Sequence, residues 1–237
     1  MALNYSDYVT TIANLMTTQS SQAEFVQILP SIIDYAEMRM YRELDLLATT
    51  VRDSTAVLTV DSRNFTLPTP NGGRYVVLDA INLINPSSGV RFAQLQPVSL
   101  EFLDAAYPAE TATASTATPE YFAMVTDQTL VVGPSPGTAW RVEVVGEIRP
   151  TPLSASNTTT YLTNYLPDLF IAASMVFASG YQKNFGSQSD DPKMSASWES
   201  QYQTLFASAN LEENRKRWAS VSWTSKQPSP IAQPQRG

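Results

Sequence analysis

The hydrophobic period of this chain changes twice, and that alone rules out most architectures. Up to about Thr49 apolar residues recur at helical spacing. From "TAVLTV" through "NFTLP", "RYVVLDAINLI", "VRFAQLQPV", "EYFAMVTD", "QTLVVGP" and "AWRVEVVGEI" they alternate, with β-branched and aromatic types dominating and turn signals at Asn71-Gly72-Gly73, Ser88-Gly89 and Pro136-Gly137. After "RPTPLSASNTTTYLTNYL" the helical period returns. The order predicts an α+β protein: a helical bundle formed by N- and C-terminal segments (residues 1-50 and 154-217), an inserted antiparallel β module (51-153), sandwich or barrel-like, and an extended C-terminal tail (218-237).

The segments can be read individually. Residues 4-17 place Tyr5, Tyr8 or Val9, Ile12 and Leu15 or Met16 on one face, with Asn4 or Ser6 as N-cap, which predicts a short helix. A second helix starts either near Ala23 or at Pro30, because proline suits a first turn and kinks an interior. Inside the β region, "SLEFLDAAY" reads as a brief helix and "PAETATASTATPE" as an exposed loop. Pro167 opens a helix whose stretch from Leu169 to Gln182 holds no charge and is predicted to sit at the bundle centre. The last helix has Asp191 as N-cap and Pro192 at N1, then Met194, Trp198, Tyr202, Leu205, Phe206 and Ala209 on one face. Glu212, Glu213 and Lys216 occupy the positions that would continue that stripe, so the chain is expected to leave its own core there.

The second helix has two sticky faces. Ile32, Ile33, Ala36, Met40, Leu44 and Leu47 fill an arc of about 120°. The opposite arc carries Tyr35, Met38, Tyr41 and Arg42, residue types enriched where proteins meet. That face packs either on another part of the same chain or on a neighbouring subunit.

Composition removes most chemistry. The chain has no cysteine and no histidine, which excludes disulfides, Ser-His-Asp and Cys-His catalysis and the usual zinc sites. No catalytic, cofactor-binding or metal site is expected. Carboxylate pairs at Glu212-Glu213 and Asp190-Asp191 read as a solvated face and a helix cap rather than as a glycosidase pair. "PNGGRY" lacks the Lys-Ser/Thr of a phosphate loop and reads as a turn. A second alternative is a receptor- or glycan-binding module, with Tyr75, Phe92, Tyr121 and Trp140 as an aromatic platform.

No apolar run reaches the roughly 18 residues of a membrane span, and the N-terminus lacks a signal-peptide pattern. The chain is expected to stay in the cytoplasm of the cell that makes it and to have no membrane partner. The net charge of −7 includes five cations and no acids from Arg215 onward, which leaves −12 on the preceding residues. An acidic body is poorly suited to coating DNA, whereas a basic tail suits an acidic protein groove.

In their order along nearly the whole chain, "LNYSDYVTTIANLM", "ILPSIIDYAEMRMYRELDLLATT", "STAVLTVDSRNFTLP", "PEYFAMVTDQTLVVGPSPGTAWRVEVVGEIRPTPLS" and "YLPDLFIAASMVFASGYQKNFG" resemble the head-tail adaptors (connector or head-completion proteins) of tailed bacteriophages. The most specific stretch is the fourth, in which Pro-x-x-Phe, two strands, Pro-x-Pro, an alternating strand and Arg-Pro-x-Pro-Leu-Ser follow one another. The resemblance implies a structural protein of the virion head-tail junction, assembled as a ring, typically of twelve copies, under the portal protein. Tail or nozzle proteins would attach below it, and DNA would pass through the ring without sequence-specific binding. The expected portal and subunit interface comprises Tyr35, Met38, Tyr41 and Arg42 with Arg215, Lys216, Arg217, Trp218, Trp223, Lys226 and Arg236.

Overall fold

The computed structural model describes residues 3–108, 117–182 and 193–220. Helix α1 (Tyr5–Leu15) begins at Asn4, whose side chain accepts a hydrogen bond from the Asp7 N–H. Helix α2 (Ala23–Glu43) runs unbroken through Pro30, so neither a restart nor a chain break occurs there. Pro30 lies on an exposed position, while Phe25, Leu29, Ile32, Ile33, Ala36 and Met40 on the other side are buried. Burial of that stripe outweighs the one backbone hydrogen bond that proline cannot make.

A 3₁₀ turn at Leu47–Thr49 leads into the strands. These form two four-stranded sheets. The first has the order β1 (Thr50–Val57), β8 (Arg141–Arg149), β3 (Arg74–Ile84), β4 (Arg91–Gln94), antiparallel throughout. The second has the order β2 (Asn64–Thr66), β7 (Thr129–Gly133), β6 (Tyr121–Met124), β5 (Gln96–Pro97). In it β5 runs parallel to β6, which departs from the expected wholly antiparallel module. The cause lies between them: helix α3 (Leu100–Ala106) makes the return connection that a parallel neighbour requires and a hairpin cannot supply. Neither sheet closes into a barrel. Tyr75, Ile81, Leu83, Val142, Val144 and Ile148 from one sheet meet Phe65, Leu130 and Val132 from the other in a shared core.

The chain then returns to helices α4 (Tyr161–Tyr165), α5 (Pro167–Gln182) and α6 (Lys193–Ser220). A separate core joins both ends of the chain: Tyr8 and Ile12 from α1, Ile32 and Met40 from α2, Phe170 and Met175 from α5, Tyr202 and Ala209 from α6. Tyr8 stacks on Phe170 at 4.9 Å and shares a 2.8 Å hydrogen bond with Ser174. Helix α5 is the centre of this cluster, as its uncharged run predicts. The Asp191-Pro192 cap and the segment after Ser220 lie outside the described residues. None of the described helices is long and apolar enough to cross a membrane.

Candidate assembly surface and the clasps behind it

The second face of α2 divides when placed in three dimensions. Tyr35 stacks on Phe177 of α5 with ring centroids 5.1 Å apart, and Tyr41 packs against the helical core. Burial pushes the Tyr41 hydroxyl upward. Met38 is half-buried; Arg42 is exposed and makes no hydrogen bond or ion pair among the described residues. Tyr41 therefore serves packing within the chain, Tyr35 keeps 38% of its surface exposed beside its ring contact, and Arg42 stands outward.

Arg39, which the sequence pattern does not single out, does more than any of them. Its guanidinium donates to both Glu199 oxygens at 2.7 and 2.6 Å, to Glu43 at 3.1 Å, and lies 3.9 Å over the Tyr202 ring. This bidentate pair holds the Glu199 carboxyl down at about 2. The Tyr202 hydroxyl donates to Glu43 at 2.6 Å, which explains the carboxylate at the edge of the apolar arc of α2. The one sign of this cluster in the sequence is Glu43, a carboxylate lying inside the apolar arc of α2, since the partners on α6 are far away along the chain.

Helix α6 does not leave its core after Ala209. Glu213 is 2% exposed and accepts from the Leu47 N–H at 3.2 Å, from the Tyr161 hydroxyl at 3.1 Å and from Lys216 at 2.6 Å. Burial works to raise its carboxyl, but these donors outweigh burial and hold it below the usual range. Lys216 also reaches Glu212 at 2.8 Å, and Arg217 pairs with Asp45. The expected solvated carboxylate is thus a buried one, because its partners come from the α2–β1 junction and from α4. Within the expected basic interface, Lys216 and Arg217 engage their own chain, Arg215 is exposed, and Trp218 falls in the last turn of α6. Trp223, Lys226 and Arg236 lie outside the described residues.

Glu37 is the counterpart at the other crossing between the helices and the sheets. It is 4% exposed and accepts from the Leu153 N–H at 3.0 Å. Burial pushes its carboxyl up to about 7, against the backbone hydrogen bond and with help from the charge of Asp34. Each passage between the two cores is therefore clasped by one buried helix carboxylate: Leu47 by Glu213, Leu153 by Glu37.

The rival arrangements do not come together. Tyr75 and Trp140 are buried in the sheet core, so of the four aromatics only Phe92 and Tyr121 have substantial exposure, and Phe92 rests on Trp140 at 5.1 Å. A flat aromatic platform is not formed. Glu213 is committed to its clasp, and Asp190-Asp191 lies outside the described residues. No curated protein matches the chain. A family model described as SU10 adaptor protein matches residues 3–226.

Proposed function

The chain belongs to the SU10 adaptor protein family, and from that premise we propose that it is a structural, non-enzymatic adaptor of the phage virion, standing in a ring of twelve copies between the portal protein and the tail or nozzle proteins. The observation that carries this reading is the family match across residues 3–226. Two features are consistent with it. Tyr35 and Arg42 keep exposed surface on a helix whose opposite stripe is committed to its own bundle. The −12 carried by residues 1–214 would keep passing DNA from adhering to a channel, since like charge repels the phosphate backbone. The ring would close by repeating one heterologous contact.

The tail gives the test. Removal of residues 218-237 is expected to leave a folded subunit with an unchanged melting temperature and to weaken portal binding at least tenfold in a pull-down or interferometry titration; binding at full strength would contradict the reading. Arg42→Glu supplies a second test. An exposed residue without partners changes unfolding free energy by no more than about 0.5 kcal/mol, so chemical denaturation should be unaltered while ring assembly falls. Equal losses in both would make Arg42 a residue of the fold rather than of the ring.

A further inference from the structure

Two motifs meet in one place, just ahead of the Leu153 clasp. The turn "PNGGRY" and the strand end "RPTPLS" line the same pocket, a cavity of about 290 Å³ between β3 and the exit of β8. Gly72 has φ +75°, and a Cβ there would come within 2.7 Å of the Thr151 Oγ1, so the turn is pressed against the second motif. The joint between the motifs is closed by contact.

Its electrostatics are unbalanced. Arg74 and Arg149 are direct cross-strand partners in the β3–β8 register and both line the cavity. Like charges placed directly opposite in a sheet are destabilising. The one carboxylate in the lining, Asp127, reaches only Arg74, at 3.5 Å, with both side chains more than 60% exposed, and exposed pairs of that kind contribute little. The Arg149 Nε is buried and has no hydrogen-bond partner among the described residues. Gln128, a further polar lining residue, spends its amide on the Tyr75 and Asp127 carbonyls. Two arginines thus line one small recess that holds one loosely paired acid.

We propose that this pocket receives a carboxylate side chain from an adjacent copy of the same chain, bound between the Arg74 and Arg149 guanidiniums. The inference rests on the ring reading above. Guanidinium forks match planar carboxylates, and a body carrying −12 offers every neighbour many Asp and Glu side chains. The recess holds one acid group, whereas a nucleic-acid track needs cations spread along a surface. Pro150, Pro152 and Tyr75 wall the cavity on its sides, which suits an inserted side chain rather than a passing backbone.

The test uses Arg149→Lys, which keeps the charge but supplies an amine that a zero-length carbodiimide can join to a touching carboxylate. Light and isotopically heavy subunits are mixed, assembled on purified portal particles, and the ring fraction is cross-linked and mapped by mass spectrometry. The expected product joins position 149 of one copy to an Asp or Glu of another, and Arg149→Glu should lower the ring fraction at least tenfold without lowering the melting temperature, since it also ends the like-charge pair with Arg74. Rings that give no link at position 149, or only a link to Asp127 of the same copy, would overturn the site and leave the ring reading standing. A duplex oligonucleotide that blocks the link would assign the pocket to phosphate and overturn it as well. Failure of the unsubstituted protein to form any ring would overturn the reading beneath it, and the neighbour's carboxylate with it.

Discussion

Glu213→Ala is expected to lower the unfolding free energy by about 3 kcal/mol, the cost of breaking a buried ion pair from one side. The carboxylate serves three donors at once, the Leu47 N–H, the Tyr161 hydroxyl and Lys216. Lys216 can retreat to Glu212 and water, because its side chain is 35% exposed. The Leu47 N–H and the Tyr161 hydroxyl lose an ionised acceptor in a part-buried setting, which costs roughly 1.5–3 kcal/mol for hydrogen bonds to a charge. For a chain of this length the melting temperature should fall by roughly 6–12 °C. Glu212→Ala one position earlier removes an acid that is 56% exposed and should change stability by less than about 0.5 kcal/mol. Urea titrations of the two variants make the comparison; equal midpoints would show that the buried position adds nothing.

The Glu37 clasp should appear as a pH dependence of the opposite kind. Its folded-state pKa is raised, to about 7 from the ordinary 4.5. The folded state therefore holds its proton where the unfolded chain has lost it, and stability falls as pH rises from about 4.5 through 7. Asp34 reinforces this by repelling the Glu37 charge, while the neighbouring Tyr8 and Tyr41 hydroxyls stay neutral. Replacing it with Gln keeps an oxygen for the Leu153 N–H and removes the charge. Glu37→Gln should then flatten the profile between pH 5 and 8 and raise stability at pH 8 by about 3 kcal/mol, one pKa unit being about 1.4 kcal/mol. Glu199 is held down at about 2 by Arg39, so its contribution is present above pH 4.5 and fades as pH falls toward 2, outside the window in which Glu37 acts. Parallel profiles for the two proteins would contradict a buried, protonatable clasp.

Much of this architecture is legible from periodicity. The alternation of Val142 and Val144 against Arg141 and Glu143 marks the central strand of the first sheet, and the uncharged stretch from Leu169 to Gln182 marks the central helix. Membership of the adaptor family is likewise legible from the order of motifs. What periodicity misses is long-range polar chemistry. Glu213 looks like a solvated residue because a helical pattern contains no information about Leu47 or Tyr161, and Arg39 sits in an arc where a charge is unremarkable until Glu199 is brought opposite. The parallel β5–β6 pair escapes for a related reason: two residues of strand are too few to show a direction. Tyr41 shows how a face that looks external by angle alone can pack inward, because α2 is flanked by more of the chain than a single buried stripe implies.

These observations give the clasps a mechanical meaning within the proposed ring. Leu47 and Leu153 are the places where the chain passes between its two cores, and a carboxylate from α6 or α2 fixes each one. A subunit built this way presents its sheets and its helices in a set relation to its neighbours, which a repeating ring contact needs.

Electron microscopy of the full-length protein mixed with purified portal particles tests the central claim most directly. The account predicts an added layer of density under each portal ring, with twelve repeats of one subunit around the axis. Bare portal rings beside single dispersed subunits, at concentrations where both are folded, would contradict it.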